Sequence, residues 1–193
     1  MKRSYLFLAP GFEEIEALAT VDVLRRAGLT VFTVAITEDG SKNVTGAHGV
    51  TVVADILPDE HDMAEAEWLI CPGGMPGASN LAASPVVTSL LKAQAARGGH
   101  IAAICASPAL VLEPLGILDG CEATCYPGME PKQSKAHFHT SPVVVSGNII
   151  TGNGPASTIR FALAIVCASC GEQIAQEVGT VMLFYTRSAN FYF

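Results

Sequence analysis

The chain alternates between short runs that are apolar throughout and longer stretches whose apolar positions recur at helical steps. "SYLFLA" (Ser4 to Ala9) stops at Pro10-Gly11 and reads as a buried strand. From Glu14 to Arg26, Ile15, Leu18, Val21 and Leu24 recur every third position, acids crowd the first turn, arginines the last, and Gly28 follows. These signals predict a helix with that quartet as its inward stripe. "LTVFTVAI" (Leu29 to Ile36) is a second buried strand and "GVTVVAD" (Gly49 to Asp55) a third, at an edge. "EWLICPGG" (Glu67 to Gly74) is a strand entering a glycine turn, and Ser84 to Arg97 is helical through Val87, Leu90, Leu91 and Ala95. "HIAAIC" (His100 to Cys105) is a strand followed by a helix through Leu112.

Residues Gly120 to Ser141 lose all period and read as a long loop or a loop with a hairpin. "VVVSGNIITG" (Val143 to Gly152) carries a Ser-Gly-Asn turn between two short strands, a hairpin signal. "STIRFALAIVCASCG" is a helix with Ile159, Leu163 and Val166 as its stripe and Gly171 as its stop, and a last helix covers Glu172 to Leu183. Strand and helix in alternation specify an α/β fold with a mainly parallel, doubly wound sheet sandwiched by helices. One domain over residues 1–185 is expected, with 186–193, ending "RSANFYF", as a packing or non-native tail.

Half of the 193 residues are hydrophobic, enough for one substantial core. A net charge of -7 gives no basic footprint for nucleic acid or an anionic membrane surface. The apolar start breaks at Pro10-Gly11, too early for a secretory leader, and no run approaches a membrane span. A soluble, cytoplasmic protein with six reduced cysteines is therefore expected.

In doubly wound sheets ligands bind outside the carboxyl ends of the strands. "APGFEEIE", "CPGGMPGASN" and Cys105 all arrive at that edge. Cys105 sits between a strand and a helix, among the small residues Ala103, Ala106 and Ser107, which suits a sharp elbow. With Ser107 as cap and Pro108 in the first turn, the helix end is expected to favour the thiolate and lower its pKa. Gly73 and Gly74 offer free backbone N–H groups for an oxyanion. Glu13, Glu14 and Glu16 suit a helix start without any function, but Glu16 lies off the Ile15–Leu18 stripe. A partly buried, protonated Glu16 would donate a hydrogen bond to the sulfur.

Other clusters weigh less. Cys167-Ala-Ser-Cys170 ends a helix without a second pair and reads as core packing. Cys121, Cys125, His137 and His139 fit zinc spacing poorly, so no metal is expected. His61 and His100 bound elements at the surface, and His48 sits in a glycine-rich loop.

"LAPGFEEIEALATVDVLRRAGLTV", "LICPGGMPGASNL", "GGHIAAICASPALVL", "YPGMEP" and "GNGPASTIRFALAIV" together resemble the ThiJ/PfpI superfamily, in its DJ-one (protein deglycase and glyoxalase III-like) branch. The resemblance runs from the first strand to about Met182. It implies a flavodoxin-like fold, a homodimer, Cys105 as reactive cysteine and Glu16 as its hydrogen-bonding acid. It also implies Gly74 and Ala106 as N–H groups facing the thiol and Gly154-Pro155 as a loop lining the pocket. Tyr126 stands where the deglycase has a histidine, and His48 and Asn153 where close relatives carry arginine. Ala106 replaces the histidine that follows the elbow cysteine in the protease branch, which argues against a peptidase.

The leading expectation is an enzyme that converts methylglyoxal or glyoxal, or a glycated substrate, to 2-hydroxy acids without a cofactor. The alternative is an oxidative-stress sensor or chaperone acting through oxidation of Cys105. An amidotransferase or peptidase ranks last, for want of a histidine partner.

Overall fold

The computed structural model describes residues 2–185; the tail assigned to 186–193 lies outside the described residues. β1 (Arg3–Leu8), α1 (Glu14–Arg26) and β2 (Thr30–Ala35) open the chain, followed by β3 (Asn43–Thr45), β4 (Thr51–Val53) and β5 (Trp68–Cys71). α2 (Gly77–Ala83), α3 (Pro85–Ala96) and β6 (His100–Ile104) come next, then β7 (Glu122–Ala123), β8 (His137–Phe138), β9 (Val143–Ser146) and β10 (Ile149–Gly152). α4 (Thr158–Cys170) and α5 (Glu172–Val181) close it.

The main sheet has the order β2-β1-β5-β6-β10-β9 and is parallel except for β9, which pairs antiparallel with β10 as the predicted hairpin. The first strand thus has a neighbour on either side from each direction of winding, the doubly wound arrangement whose switch point lies between β1 and β5. Strand alternation builds the two halves of the core. Leu6, Leu8, Trp68, Ile70, Ala102, Ile104 and Ile150 face the α1/α4 side. Tyr5, Phe7, Leu69, Cys71, Ile101, Ala103 and Ile149 face the side of Leu81, Val87 and Leu91 from α2 and α3.

In its secondary structure and packing the structure departs from the sequence reading as follows. The bounds of α1 are as predicted, but its rotation is not: Ile15 is 57% and Leu18 39% exposed, while Glu16, Ala17, Thr20, Val23 and Leu24 are fully buried. Small Ala17 and Thr20 let the helix pack against α4, which turns the 15/18 edge outward. The segment Gly49 to Asp55 contributes β4, which pairs with β3 in a separate two-stranded sheet. The long loop holds the parallel pair β7–β8, not a hairpin. Cys167 is exposed, so it is not a core residue. After Cys105 the chain makes a π-helical turn, Pro108–Leu112, and a 3-10 turn, Glu113–Leu115, in place of a regular α-helix.

Candidate active site at Cys105

Cys105 has φ 63°, in the left-handed region that bulky L-residues avoid. Continued alternation would send its side chain to the Ala103 side. The left-handed turn reverses this, and the sulfur packs with the α1/α4 half of the core. Two backbone bonds hold the turn: the Cys105 N–H donates to the Gly152 carbonyl (2.9 Å), and the Tyr126 N–H donates to the Cys105 carbonyl (2.8 Å). Ser107 does not cap a helix; its hydroxyl donates to the Pro72 carbonyl (2.5 Å), tying the elbow to the glycine turn after β5.

That glycine turn fits because it carries no side chain. A Cβ on Gly73 would lie 2.6 Å from the Cys105 Cβ, 2.8 Å from Glu16 Oε2 and 3.0 Å from the Cys105 Sγ. One on Gly74, at φ 90°, would run into the backbone of Gly11 to Glu13. The Gly73 N–H donates to Glu16 Oε2 (2.7 Å), and the Glu13 N–H to the Gly73 carbonyl (3.0 Å). Glu13 is the N-cap of α1, its Oε2 accepting from the Glu16 N–H (2.6 Å). Glu16 Oε1 is buried and makes no hydrogen bond among the described residues.

Burial pushes the Glu16 carboxyl up to about 7, and the charge of Glu13 adds to this. The Gly73 N–H and the Cys105 thiol work the other way. Burial, then the charge and hydrogen bonding of Glu16, push the Cys105 thiol up to about 12, against the N–H groups of Gly74 and Ala106, which favour the thiolate. The expected depressed thiol is therefore corrected. Cys105 is 8% exposed, and the short irregular turns after it supply only the local N–H groups against that burial. The raised Glu16 carboxyl agrees with the expected burial, and a value near neutrality lets it either donate a proton to the sulfur or accept one from it.

Tyr126 is half exposed, beside Gly154, where an added Cβ would meet its ring at 3.5 Å. Asn153 donates its N–H to the Pro142 carbonyl (3.0 Å), and Pro155 starts a 3-10 turn. These residues flank Gly152, so the loop does adjoin the elbow. His48 pairs instead with Glu14, its exposed ring joined through Nδ1 to Glu14 Oε2 (2.8 Å) while its N–H donates to Glu14 Oε1 (2.7 Å). Burial works to raise the Glu14 carboxyl, but the hydrogen bonds from His48 outweigh it and hold the carboxyl below its ordinary value. The hydrogen bond and charge of Glu14 raise His48. Glu13, Glu14 and His48 come within 4.8 Å of one another, a grouping that 34 residues of separation hid from sequence reading. Cavities of about 640 Å³ beside Pro10 and Asn80 and about 410 Å³ beside Arg160 and Cys167 are not lined by Cys105.

Fold and elbow together define a flavodoxin-like α/β protein with a cysteine held at the carboxyl edge of its sheet. A family model described as the DJ-1/PfpI family matches residues 2–168, and the chain belongs to that family. It is 39% identical to the Parkinson disease protein 7 homolog of Danio rerio, over 92% of this chain and 94% of that one. It is 37% identical to the glutathione-independent glyoxalase DJR-1.2 of Caenorhabditis elegans, over 86% and 88%. With the Arabidopsis thaliana protein DJ-1 homolog B the identity is 42%, over 82% of this chain but 36% of that longer protein. The chain spans less than half the length of both Arabidopsis relatives. Among solved structures, oxidized Toxoplasma gondii DJ-1 superposes with a TM-score of 0.87 at 34% identity, over 96% of this chain and all of that one. Drosophila melanogaster DJ-1beta gives 0.86 at 34%, over 94% and 97%. No helix among the described residues is long and apolar enough to cross a membrane.

Proposed function

We propose that the protein is a cysteine-dependent carbonyl-handling enzyme that converts methylglyoxal or related small aldehydes to 2-hydroxy acids without a cofactor. The observation that carries this is the facing of Cys105 by a carboxyl raised to about 7 and by two backbone N–H groups. The glyoxalase name of a relative supports the choice of reaction.

In this scheme Sγ bonds to the aldehyde carbon while the thiol proton passes to ionised Glu16. The carbonyl oxygen becomes an alkoxide steadied by the N–H groups of Gly74 and Ala106, and takes a proton to give a hemithioacetal. Glu16 then moves the proton from the former aldehyde carbon to the neighbouring carbonyl carbon through an enediol, leaving a 2-hydroxyacyl thioester. Water cleaves that thioester to the hydroxy acid and the free thiol. Tyr126, Asn153, Gly154 and Pro155 form one wall. A homodimer in the cytoplasm completes the reading, supported by the family resemblance, the outward apolar residues Ile15 and Leu18, and six free cysteines.

Purified protein is expected to form lactate from methylglyoxal, and Cys105→Ala to form none. Wild-type protein with no rate above the buffer background would end this reading. Redox sensing is the second reading, favoured by the oxidized state of a close structural neighbour and by Glu16 Oε1, which is free to bond an oxygen added to sulfur. Selective oxidation of Cys105 by mild peroxide, seen by intact mass in protein that does not turn over methylglyoxal, would favour it.

A further inference from the structure

We propose that the Cys105 pocket selects electrophiles by charge, admitting neutral or cationic compounds and turning away those that carry a carboxylate beside the reacting carbon. The inference rests on Cys105 as the reacting group of the proposed function, but not on which carbonyl it transforms.

One acid of α1 lies beside the sulfur and a second stands behind it. Glu16 is fully buried against Cys105, and Glu13 is 6% exposed, bonded to the Glu16 N–H and adding its negative charge to that of Glu16. Glu13 and Glu14 both act on His48, whose single positive charge, when protonated, offsets one of these two carboxylates and leaves the group of three acids with Glu16 net negative. Beyond the elbow, the charge of Glu130 acts on Cys125, the residue before Tyr126. The charged side chains that influence Cys105 and Glu16 are all acidic. The cations of the described ion pairs are committed elsewhere: Arg25 to Asp55, Arg26 to Asp22, Lys42 to Glu60, Arg97 to Glu65 and Lys135 to Asp119.

The N–H groups of Gly73 and Glu16 are taken up by the carboxylates of Glu16 and Glu13, and those that favour negative charge on the sulfur are the N–H groups of Gly74 and Ala106. They can serve one alkoxide formed there, but a second anionic group has no donor. In a poorly solvated site a single unmatched charge a few ångströms from Glu13 and Glu16 changes a rate by about tenfold or more. A hydroxy-acid product carries the charge its aldehyde lacked, so the same field speeds its departure.

Alkylation tests this without any turnover. Iodoacetamide and iodoacetate both form an S–C bond and expel iodide, the thiol proton passing to solvent, and they differ in charge. Peptide mapping follows each rate at Cys105 and at exposed Cys167 of the same intact protein. The amide-to-acid rate ratio at Cys105 is expected to exceed that at Cys167 by about tenfold, and to narrow several-fold in Glu13→Gln. Equal ratios at the two cysteines, or no reaction of Cys105 with iodoacetamide, overturn the proposal. Charge bias without methylglyoxal turnover ends the enzyme reading alone, and turnover without the bias ends this one alone.

Discussion

Cys71 and Cys105 lie at the carboxyl ends of neighbouring parallel strands, with Cys71 in register with Ala103, and burial pushes both thiols up to about 12. Cys71 obeys strand alternation and stays among the residues packed on α2 and α3. Cys105 breaks it through a left-handed φ and meets Glu16 from α1. For Cys71 burial is the whole cause, a fixed property of its packing. For Cys105 part of the rise comes from a carboxyl that itself binds a proton near neutrality and can accept the one the thiol must lose. The same high thiol pKa therefore has two different causes, and what sets Cys105 apart from Cys71 is a neighbouring group that can take its proton.

The sharpest way to break the comparison is to delete each sulfur in turn. Cys105→Ala is expected to lower hydroxy-acid formation by at least about a thousandfold. Cys71→Ala should leave the rate within about threefold and cost about 1–2 kcal/mol in chemical denaturation, for the small cavity left behind. Next comes the proton acceptor. Glu16→Gln is expected to lower kcat/KM by about a hundredfold. It should also remove the rise of wild-type kcat/KM with pH through about 7, where Glu16 ionises.

Stability moves the other way with pH. The Glu16 carboxyl is raised in the folded state, so its contribution is fully present below the unfolded value of 4.5 and is lost as pH rises through about 7. The loss is of the order of 3 kcal/mol. Glu16→Gln should therefore be more stable than wild type at pH 8 by about that amount, a gain that fades below about pH 5 in thermal melts.

A smaller change blurs the geometry without touching either group. Gly73→Ala inserts a methyl between Cys105 and Glu16 and is expected to cost about 1–3 kcal/mol and to slow turnover by about tenfold. Smallest of all, Tyr126→Phe removes a hydroxyl that makes no hydrogen bond among the described residues, and should change kcat/KM by less than about threefold.

The sequence carried the positions of the six strands of the main sheet and the bounds of α1, because apolar runs and the charges at helix ends are local signals. It missed the rotation of α1, since Ile15 and Leu18 imitate a buried stripe while Ala17 and Thr20, less hydrophobic, are the ones small enough to pack closely. The elbow at Cys105 was legible from its small neighbours and from the family resemblance. The state of its thiol was not, since burial there sums atoms from β5, α1 and β10, which no window of sequence contains. The pairing of His48 with Glu14 was hidden for the same reason.

The main-chain N–H and C=O of Cys105 are both already committed, one to the end of β10 and the other to Tyr126. Whatever becomes attached to the sulfur must thus be accommodated by rotation about the side-chain bonds, with the peptide frame acting as a fixed anvil. A bulky adduct would strain these two anchors together, so the size of the group that the residue tolerates is set by segments distant from it in the chain.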